Sequence, residues 1–389
     1  MAMVIVGAGL AGASAVEELR EQGYDGDVVL IGAEGHLPYH RPPLSKEVLL
    51  GNEDADGTDV HDAGWYADRQ VDVRTGTAVR RIDRVRQVVE TDAGEVPYEQ
   101  LLLATGSEPR RLPVDGAVYL RTRDDARALR AALLTQPRVL IVGAGWIGLE
   151  VAAAARAAGC EVTVVEPQAQ PLLGVVGERV GAAFAELHRE HGVDLRLGTT
   201  FDGTPPPVGQ RPADLVLVAV GAVPRVALAL DAGLDVGNGV LVDATLRTSD
   251  PLVLAAGDIA AHDHPVLGRL RVEHWDNAIE QGKAAARVML GGTEPYARTP
   301  YFFTDQYDLG AEYVGHVPRE HLDRVVVRGD LATRQAVVLW HDEGRVLGAM
   351  HLNDWDATDH LRALVGQVVD PRELADPAVD LAQLSRRTT

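Results

Sequence analysis

The chain has 389 residues, of which 46% are hydrophobic and 24% charged, a composition typical of a globular protein of two or three domains. Its formal net charge of −20 argues against general binding to nucleic acid or to an anionic membrane, and no apolar run reaches the length of a membrane span. Because Cys160 is the single cysteine, the chain cannot form a disulfide framework, a Cys-x-x-Cys redox pair or an all-cysteine iron–sulfur cluster by itself. This cysteine usage predicts a reducing compartment, hence the cytoplasm.

The first predicted elements are a buried strand, a glycine-rich turn, a helix and a second strand. Residues 3–34 read MVIVGAGLAGASAVEELREQGYDGDVVLIGAE, with Gly7, Gly9 and Gly12 at Gly-x-Gly-x-x-Gly spacing and Glu34 at the end. In a dinucleotide-binding unit such glycines permit a tight turn, let the backbone approach a pyrophosphate and let the helix pack on the strand. Glu34 is placed to bind a ribose diol, and the alternative is a solvated carboxylate at a strand end.

The next segment, residues 37–51, reads LPYHRPPLSKEVLLG and is unusual for the start of a crossover. Pro42 and Pro43 restrict the backbone, so that Arg41 and Lys46 are expected on either side of a rigid bend.

A second copy of the glycine motif begins near residue 139. Residues 139–166 read VLIVGAGWIGLEVAAAARAAGCEVTVVE and end in Glu166. The residues of this copy that are predicted to contact a dinucleotide are Gly143, Gly145, Ile147 and Gly148. The repeat therefore predicts two dinucleotide-binding units in one chain.

Each unit closes with a similar strand and turn. LLLATGSEPR, residues 101–110, resembles LVLVAVGAVPR, residues 215–225, and both end in Pro-Arg. The turn residues predicted to lie beside a bound dinucleotide are Ala104, Thr105, Gly106 and Gly221.

The acidic residue of the second unit predicts which nicotinamide cofactor binds. A ribose phosphate beside Glu166 would meet like charge at a cost of about 1 kcal/mol in water and about 4 kcal/mol nearer protein at 4 Å. No arginine or lysine follows soon after, since the next residues read PQAQPLL. We therefore expect NADH to be preferred over NADPH.

Downstream segments add a further strand end and a last domain. LVLAAGDIAAH, residues 252–262, places Gly257 and Asp258 after a strand, where the aspartate could accept a hydrogen bond from a ribityl hydroxyl or belong to an ordinary turn. RVVVRG, QAVVLWHD and RVLGAMHL predict an antiparallel meander, followed by the helical DATDHLRALVGQ.

His188 and His191 lack the spacing of a metal site, so no metal is expected, and HDH at 262–264 is expected in a loop.

Several motifs together resemble one family. LPYHRPPLSK, ATGSEPR, YLRTRDDA, GAGWIGLEVA, AAGDIAA, VEHWDNAIEQG and PYFFTDQYD are similar to segments of FAD-dependent pyridine nucleotide oxidoreductases, specifically the ferredoxin reductases of bacterial oxygenase systems. The resemblance covers nearly the whole chain. It implies an α/β fold with two Rossmann-like dinucleotide-binding domains, as in glutathione reductase, plus a small C-terminal α+β domain that covers the flavin. The expected domains are an FAD domain at 1–108 and 237–301, an NADH domain at 109–236 and a C-terminal domain at 302–389.

The resemblance also implies roles for single residues. Lys46 would lie near the flavin and pair with Glu150 as the catalytic pair, although the two could be an exposed helix lysine and a first-turn glutamate favoured by the helix dipole. The other residues that the resemblance places beside FAD are Ala11, Arg41, Val79, Arg121, Val272 and Trp275. The two arginines could instead form ordinary salt bridges, and the apolar residues could simply be core.

The implied function is electron transfer from NADH through FAD to a small iron–sulfur ferredoxin, which would serve a haem monooxygenase or a ring-hydroxylating dioxygenase. With no cysteine pair beside the flavin, electrons would have to leave the flavin directly. Two alternatives stay open: an NADH oxidase or peroxidase, and a flavin redox sensor of the apoptosis-inducing-factor type. One departure from the family pattern is Phe303, where a tryptophan is common, so the indole N–H donor is missing.

Overall fold

The structure of the protein, a computed structural model, describes residues 2–386. Met1 and residues 387–389, which fall in the expected first and last domains, lie outside the described residues. The chain divides into two compact units, and each unit is discontinuous in sequence. The first unit comprises residues 2–41, 56–108 and 222–300; the second comprises 42–55, 109–221 and 301–386.

The first unit is built on a seven-stranded, mostly parallel sheet. Its central strand Ala2–Val6 pairs in parallel with Val28–Ile31 on one side and with Gly94–Leu103 on the other. Val71–Arg74 extends the sheet beyond Val28–Ile31, and Val253–Ala255 pairs with the second half of Gly94–Leu103. The strands Ala2–Val6 and Val28–Ile31 are buried along their length, as expected for parallel strands covered on both faces.

Two further groups of strands complete the first unit. The strands Val79–Asp83 and Val88–Thr91 continue the main sheet in antiparallel pairing. A separate four-stranded sheet contains Val236–Gly237, Gly239–Val242, Ala260–His264 and Gly268–Leu270.

The helices of the first unit pack on these sheets. They are Leu10–Glu21, Ala63–Asp68, Ala227–Asp231 and Trp275–Met289, with a 3-10 turn at Gly257–Ile259. Leu10–Glu21 and Trp275–Met289 approach closely because Gly282 has no side chain: a Cβ there would lie 2.3 Å from the Ala11 carbonyl oxygen.

The second unit contains two sheets. A four-stranded parallel sheet runs in the order Asp194–Leu197, Glu161–Glu166, Arg138–Val142, Leu215–Val218. A five-stranded antiparallel sheet runs in the order Tyr301–Gln306, Leu309–Gly315, Arg345–Leu352, Gln335–Asp342, Val325–Asp330.

The helices of the second unit accompany both sheets. They are Glu47–Leu50, Arg123–Leu133, Trp146–Ala157, Leu173–Glu190, Thr358–Leu364, Pro371–Ala375 and Leu381–Arg386, with 3-10 turns at Pro42–Ser45, Arg319–His321 and Trp355–Ala357. Short elements at the points where the chain passes between units are Ala55–Thr58, Ser107–Pro109 and Ala222–Pro224.

Segment HDH at 262–264 was expected in a loop, and this expectation is wrong. Its residues end the strand Ala260–His264. His262 and His264 are buried while Asp263 between them is exposed, which is the alternation of a strand with one covered face. None of the helices within residues 2–386 combines the length and the apolar character needed to cross a bilayer.

Candidate nucleotide-binding sites

The first glycine loop, residues 7–12, has the geometry that a dinucleotide requires. Gly7 has φ of +120°, and a Cβ there would lie 2.1 Å from the carbonyl oxygen of Ala104. A Cβ at Gly12 would lie 2.1 Å from the Gly7 carbonyl oxygen, so only glycine allows this contact between helix and turn. At Gly9, which caps the helix Leu10–Glu21, an added Cβ would meet no atom within 4 Å. The backbone amides at that helix start are therefore open to a phosphate group.

The Glu34 carboxylate follows the strand Val28–Ile31, which pairs with the strand that leads into this loop, and it is held by two neighbours. It accepts a hydrogen bond of 2.5 Å from the Tyr39 hydroxyl and forms an ion pair of 2.8 Å with Arg41. The Arg41 guanidinium also lies over the Tyr39 ring, 4.9 Å from its centroid. Burial alone would raise the pKa of Glu34, but Arg41 and Tyr39 outweigh burial and hold that pKa below its usual range. Arg41 thus orients the acid that is predicted to bind ribose.

The Gly257–Asp258 turn lies at the end of a strand of the same sheet. Asp258 accepts a hydrogen bond of 2.8 Å from the Ser107 hydroxyl, and the Gly257 amide donates to the Gln281 side chain at 2.9 Å. The side chain of Ala11 packs on this turn, since a Cβ at Gly257 would lie 3.1 Å from the Ala11 Cβ. The acid is therefore fixed by a short polar network.

The turn after residue 103 closes the first unit. Ala104 is buried against Gly7, Gly106 has φ of +67°, and the Thr105 hydroxyl donates to the Arg225 carbonyl at 3.1 Å. Both Gly7 and this turn lie at the carboxyl ends of neighbouring parallel strands, the edge where open α/β sheets bind ligands.

The remaining candidates differ in their surroundings. The Val272 carbonyl accepts a hydrogen bond of 3.0 Å from the Asn277 amide, and Val79 begins a strand of the main sheet. Trp275 is 37% exposed and its indole N–H donates to His40 at 3.0 Å. Arg121, in the second unit, precedes the helix Arg123–Leu133, and its backbone amide donates to Asp125 at 3.1 Å. Their contacts with FAD stay predictions.

The second glycine loop, residues 143–148, reproduces the first. A Cβ at Gly143 would lie 2.4 Å from the Ala219 carbonyl oxygen, and one at Gly148 would lie 2.2 Å from the Gly143 carbonyl oxygen. At Gly145, which caps the helix Trp146–Ala157, a Cβ would again meet nothing within 4 Å. Ile147 in the first turn is 43% exposed. The loop therefore leaves the same open face as the first one.

The Glu166 carboxylate is buried and turned back onto this loop. One oxygen accepts the Ala144 amide at 2.8 Å and the other accepts the Gln168 amide at 3.1 Å. Gly221, with φ of +97°, lies in the turn that closes the unit, as Gly106 does in the first unit. Glu166 is thus held at the end of its strand. This is the position at which dinucleotide-binding units have the acidic residue that binds ribose.

Lys46 and Glu150 form a buried ion pair in the second unit. The Lys46 ammonium lies 2.9 Å from one carboxylate oxygen of Glu150, and the two side chains are only 7% and 5% exposed. The alternative that Lys46 is an exposed helix residue is therefore wrong. The ammonium also lies 5.4 Å from the centroid of the Phe303 ring, which supplies an aromatic face at the position of the missing tryptophan.

Sequence reasoning did not identify the residues that surround this pair. The Ser45 hydroxyl donates to Glu150 at 2.5 Å and the Thr304 hydroxyl donates to it at 2.7 Å, from positions 105 and 154 residues away in the chain. Behind Thr304 lie the buried side chains of Gln306 and His188. The only available signal was the alternation in the segment FFTDQ, which turns Thr304 and Gln306 to the same side of a strand.

The chain is similar to known proteins over nearly its full length. It is 42% identical to the anthranilate 1,2-dioxygenase system ferredoxin–NAD(+) reductase component of Burkholderia cepacia, over 97% of this chain and 98% of that protein. It is 36% identical to putidaredoxin reductase of Pseudomonas putida, over 98% of this chain and 96% of that protein.

A solved structure and two family profiles agree with these similarities. The fold matches the crystal structure of the covalent putidaredoxin reductase–putidaredoxin complex with a TM-score of 0.93 at 35% identity, over 100% of this chain and 98% of that chain. The reductase C-terminal profile matches residues 301–385, and the pyridine nucleotide-disulphide oxidoreductase profile matches residues 1–282. The chain therefore belongs to the pyridine nucleotide-disulphide oxidoreductase family.

Proposed function

We propose that the protein is an NADH-dependent ferredoxin reductase of a bacterial oxygenase system. The observation that carries the proposal is the duplicated glycine loop, one in each compact unit, each with an open helix start and an acid nearby. Two such loops fit two dinucleotides, and the family uses FAD and NADH. The relatives named above act as reductase components for ferredoxin, in oxygenase systems or with putidaredoxin.

The residues of the first unit would hold FAD. The amides of the first glycine loop would bind the pyrophosphate, Glu34 a ribose diol and Asp258 the ribityl chain. The residues of the second glycine loop would bind the NADH pyrophosphate in the same way, with Glu166 on the adenosine ribose. When bound, FAD supplies the ability to take up a hydride as two electrons and to release the electrons singly.

Lys46 and Glu150 are proposed as the catalytic pair. The Lys46 ammonium would stabilise negative charge that develops during reduction, and burial strengthens that effect because little water screens it. Glu150 balances the lysine charge, so that the buried site stays near neutrality. Both residues hold their charges in place before the reaction, which is how an enzyme avoids reorganisation during the reaction itself.

A small iron–sulfur ferredoxin is the proposed electron acceptor, and a haem monooxygenase or a ring-hydroxylating dioxygenase would be the final user. A chain with one cysteine cannot store electrons in an internal disulfide, so the electrons pass to another molecule. A cytoplasmic location and the division into FAD, NADH and C-terminal domains also stay proposals, the first testable by cell fractionation and the second by limited proteolysis.

Ferredoxin coupling tests the proposed function directly. Steady-state NADH oxidation with a panel of small ferredoxins should show saturable reduction of at least one of them. Ferricyanide serves as the control acceptor, because it accepts electrons without specific docking. Ferricyanide reduction without turnover of any ferredoxin would contradict the proposal and favour an oxidase or a redox sensor.

Replacement of Lys46 tests the catalytic pair. In flavin-loaded Lys46→Ala, we expect reduction by NADH in stopped flow to slow roughly 100-fold, as for the loss of one preorganised charge stabiliser. Lys283→Ala is the matched control, since Lys283 is the only other lysine and lies in the first unit beside Glu17, at 3.6 Å. Unchanged reduction by Lys46→Ala would remove Lys46 from the mechanism.

A further inference from the structure

A chain of buried side chains leads away from Glu150 within the second unit. The Thr304 hydroxyl contacts Glu150 Oε1 at 2.7 Å, and Gln306 Nε2 contacts Thr304 Oγ1 at 3.1 Å. Gln306 Oε1 lies 2.9 Å from His188 Nε2, and His188 Nδ1 lies 3.4 Å from the Tyr307 hydroxyl. We call Thr304, Gln306, His188 and Tyr307 the polar chain.

Three members of the polar chain are withdrawn from water, and Tyr307 is half-buried. Thr304 and Gln306 are each 1% exposed and His188 is 0% exposed. The ring of Tyr307 stacks on His191 at 3.7 Å between centroids, and this stack ends the polar chain on the side away from Glu150. Burying polar groups costs free energy unless they form hydrogen bonds with one another. A buried network of this length also specifies one arrangement of its side chains, which suggests that the arrangement itself has a role.

The carboxylate fixes the direction of every hydrogen bond in the polar chain. An ionised Glu150 can only accept, so Thr304 must donate its one hydroxyl hydrogen to it. The Thr304 oxygen is then left as an acceptor for the Gln306 amide N–H. The Gln306 carbonyl must therefore face His188, which has to carry its proton on Nε2 and leave Nδ1 as an acceptor for Tyr307. The opposite orientation of the Gln306 amide would draw the Thr304 hydroxyl hydrogen toward the Gln306 carbonyl, and Glu150 would lose Thr304 as a donor.

We propose that Thr304 and Gln306 are positioning residues, which hold Glu150 in one orientation and thereby fix the Lys46 ammonium. The inference rests on the proposed role of Lys46 and Glu150. Lys46 and Thr304 donate to the same oxygen of Glu150, while Ser45 donates to the other. Without Thr304 only Ser45 and Lys46 hold the carboxylate, which is then less restricted in its rotation, and the ammonium moves with it. His188 contributes by locking the Gln306 amide, because its burial keeps the imidazole neutral.

The tautomer of His188 tests the direction of the polar chain. Side-chain ¹⁵N NMR of the oxidised holoenzyme, labelled at histidine and assigned with His188→Asn, should show a proton on Nε2 and a bare Nδ1 at pH 7. This measurement does not depend on catalysis. A proton on Nδ1 alone would overturn the proposal, because the Gln306 amide would then face the other way and Thr304 could not serve Glu150.

Kinetics test whether the polar chain acts on the reaction. Thr304→Val keeps the shape of the side chain but removes the donor, and we expect it to slow flavin reduction at saturating NADH about tenfold with little change in the Kd for NADH. Thr304→Ser restores the hydroxyl and should recover most of the rate. Gln306→Met should slow reduction less than Thr304→Val, since Thr304 can still donate. Gln335→Met, on an exposed strand position, is the matched control and should behave as wild type.

The outcomes separate this inference from the proposed function. If Glu150→Gln slows reduction while Thr304→Val does not, the catalytic pair stands and the positioning role is wrong. If Thr304→Ser fails to recover the rate, the effect of Thr304→Val comes from general packing, and the positioning role is wrong as well. If neither Lys46→Ala nor Glu150→Gln slows reduction, the catalytic pair itself is contradicted.

Discussion

Glu166 combines two tasks at the level of a single residue. Its carboxylate accepts the backbone amides of Ala144 and Gln168, which fixes the second glycine loop against the strand end. The same negative charge would oppose the extra phosphate of NADPH. Because the side chain is buried, salt would screen its charge poorly, and we expect its effect on cofactor choice to be larger than that of a surface acid.

Glu166→Gln is therefore expected to lower the preference for NADH. Only one oxygen remains to accept two amides, so kcat/KM with NADH should fall, while kcat/KM with NADPH gains from the loss of charge. We expect the ratio of the two values to change about tenfold, which corresponds to about 1.4 kcal/mol. Glu161→Gln is the matched control, because this acid is exposed at the other end of the same strand. A clear preference of the wild-type enzyme for NADPH would contradict the expectation that Glu166 disfavours this cofactor.

At the level of elements, one carboxylate connects much of the antiparallel sheet. Glu312, on the strand Leu309–Gly315, accepts hydrogen bonds from Tyr301 at 2.5 Å, from His351 at 3.1 Å and from Thr358. These donors lie on the two neighbouring strands and at the start of the helix Thr358–Leu364. Burial raises the pKa of Glu312, but the three donors outweigh burial and lower it below its usual range.

Glu312→Ala should destabilise this sheet strongly. The substitution leaves three partly or fully buried donors without their acceptor, and we expect a loss of about 3 kcal/mol in the free energy of unfolding. Urea unfolding of the holoenzyme, followed by tryptophan fluorescence, measures the loss, since Trp340 is fully buried in the same sheet. Glu320→Ala removes an exposed acid nearby in sequence and should change little. A loss below about 0.5 kcal/mol in Glu312→Ala, the size of an ordinary surface effect, would show that the connection is unimportant.

At the level of the whole molecule, local patterns in the sequence were enough to predict most of the strands and helices that flank the two glycine loops. Gly7 and Gly143 could be recognised because each begins a Gly-x-Gly-x-x-Gly spacing, which is a local pattern, although the Ala104 and Ala219 carbonyls that they contact lie far along the chain. The strands Gln335–Asp342 and Arg345–Leu352 coincide with the predicted hydrophobic segments, because alternation is also a local signal.

The environment of the Lys46–Glu150 pair could not be found in this way. Ser45 and Thr304 reach Glu150 only through the folding of distant segments. The alternation in FFTDQ indicates the side of the strand on which Thr304 lies, but it does not identify its partner. Buried histidines were missed for the same reason: His262 reads as polar and hence as loop, although its burial in a strand is set by partners elsewhere in the chain. Local periodicity describes elements, whereas burial of a polar residue is decided by what packs on it.

Both compact units contain a buried neutral histidine, which links the stability of the whole chain to pH. Burial lowers the pKa of His188, in the second unit, to about 4, and burial likewise lowers the pKa of His262, in the first unit, to about 4. The unfolded chain binds protons at these sites near pH 6.5, whereas the folded chain does not until about pH 4. The stabilising contribution is therefore complete above pH 6.5 and is lost as the pH falls from there toward 4.

We expect the free energy of unfolding to fall by about 1 kcal/mol for each of these histidines between pH 7.5 and pH 5.5, in addition to any effect of other groups. Urea unfolding of the holoenzyme at the two pH values measures the difference. In His262→Gln and in His188→Gln the difference should shrink by about that amount, since glutamine cannot take up a proton in either state. His316→Gln, which removes an exposed imidazole, should keep the wild-type difference. If the two buried variants also keep it, these histidines are protonated equally in the folded and unfolded chain, and burial does not control their charge.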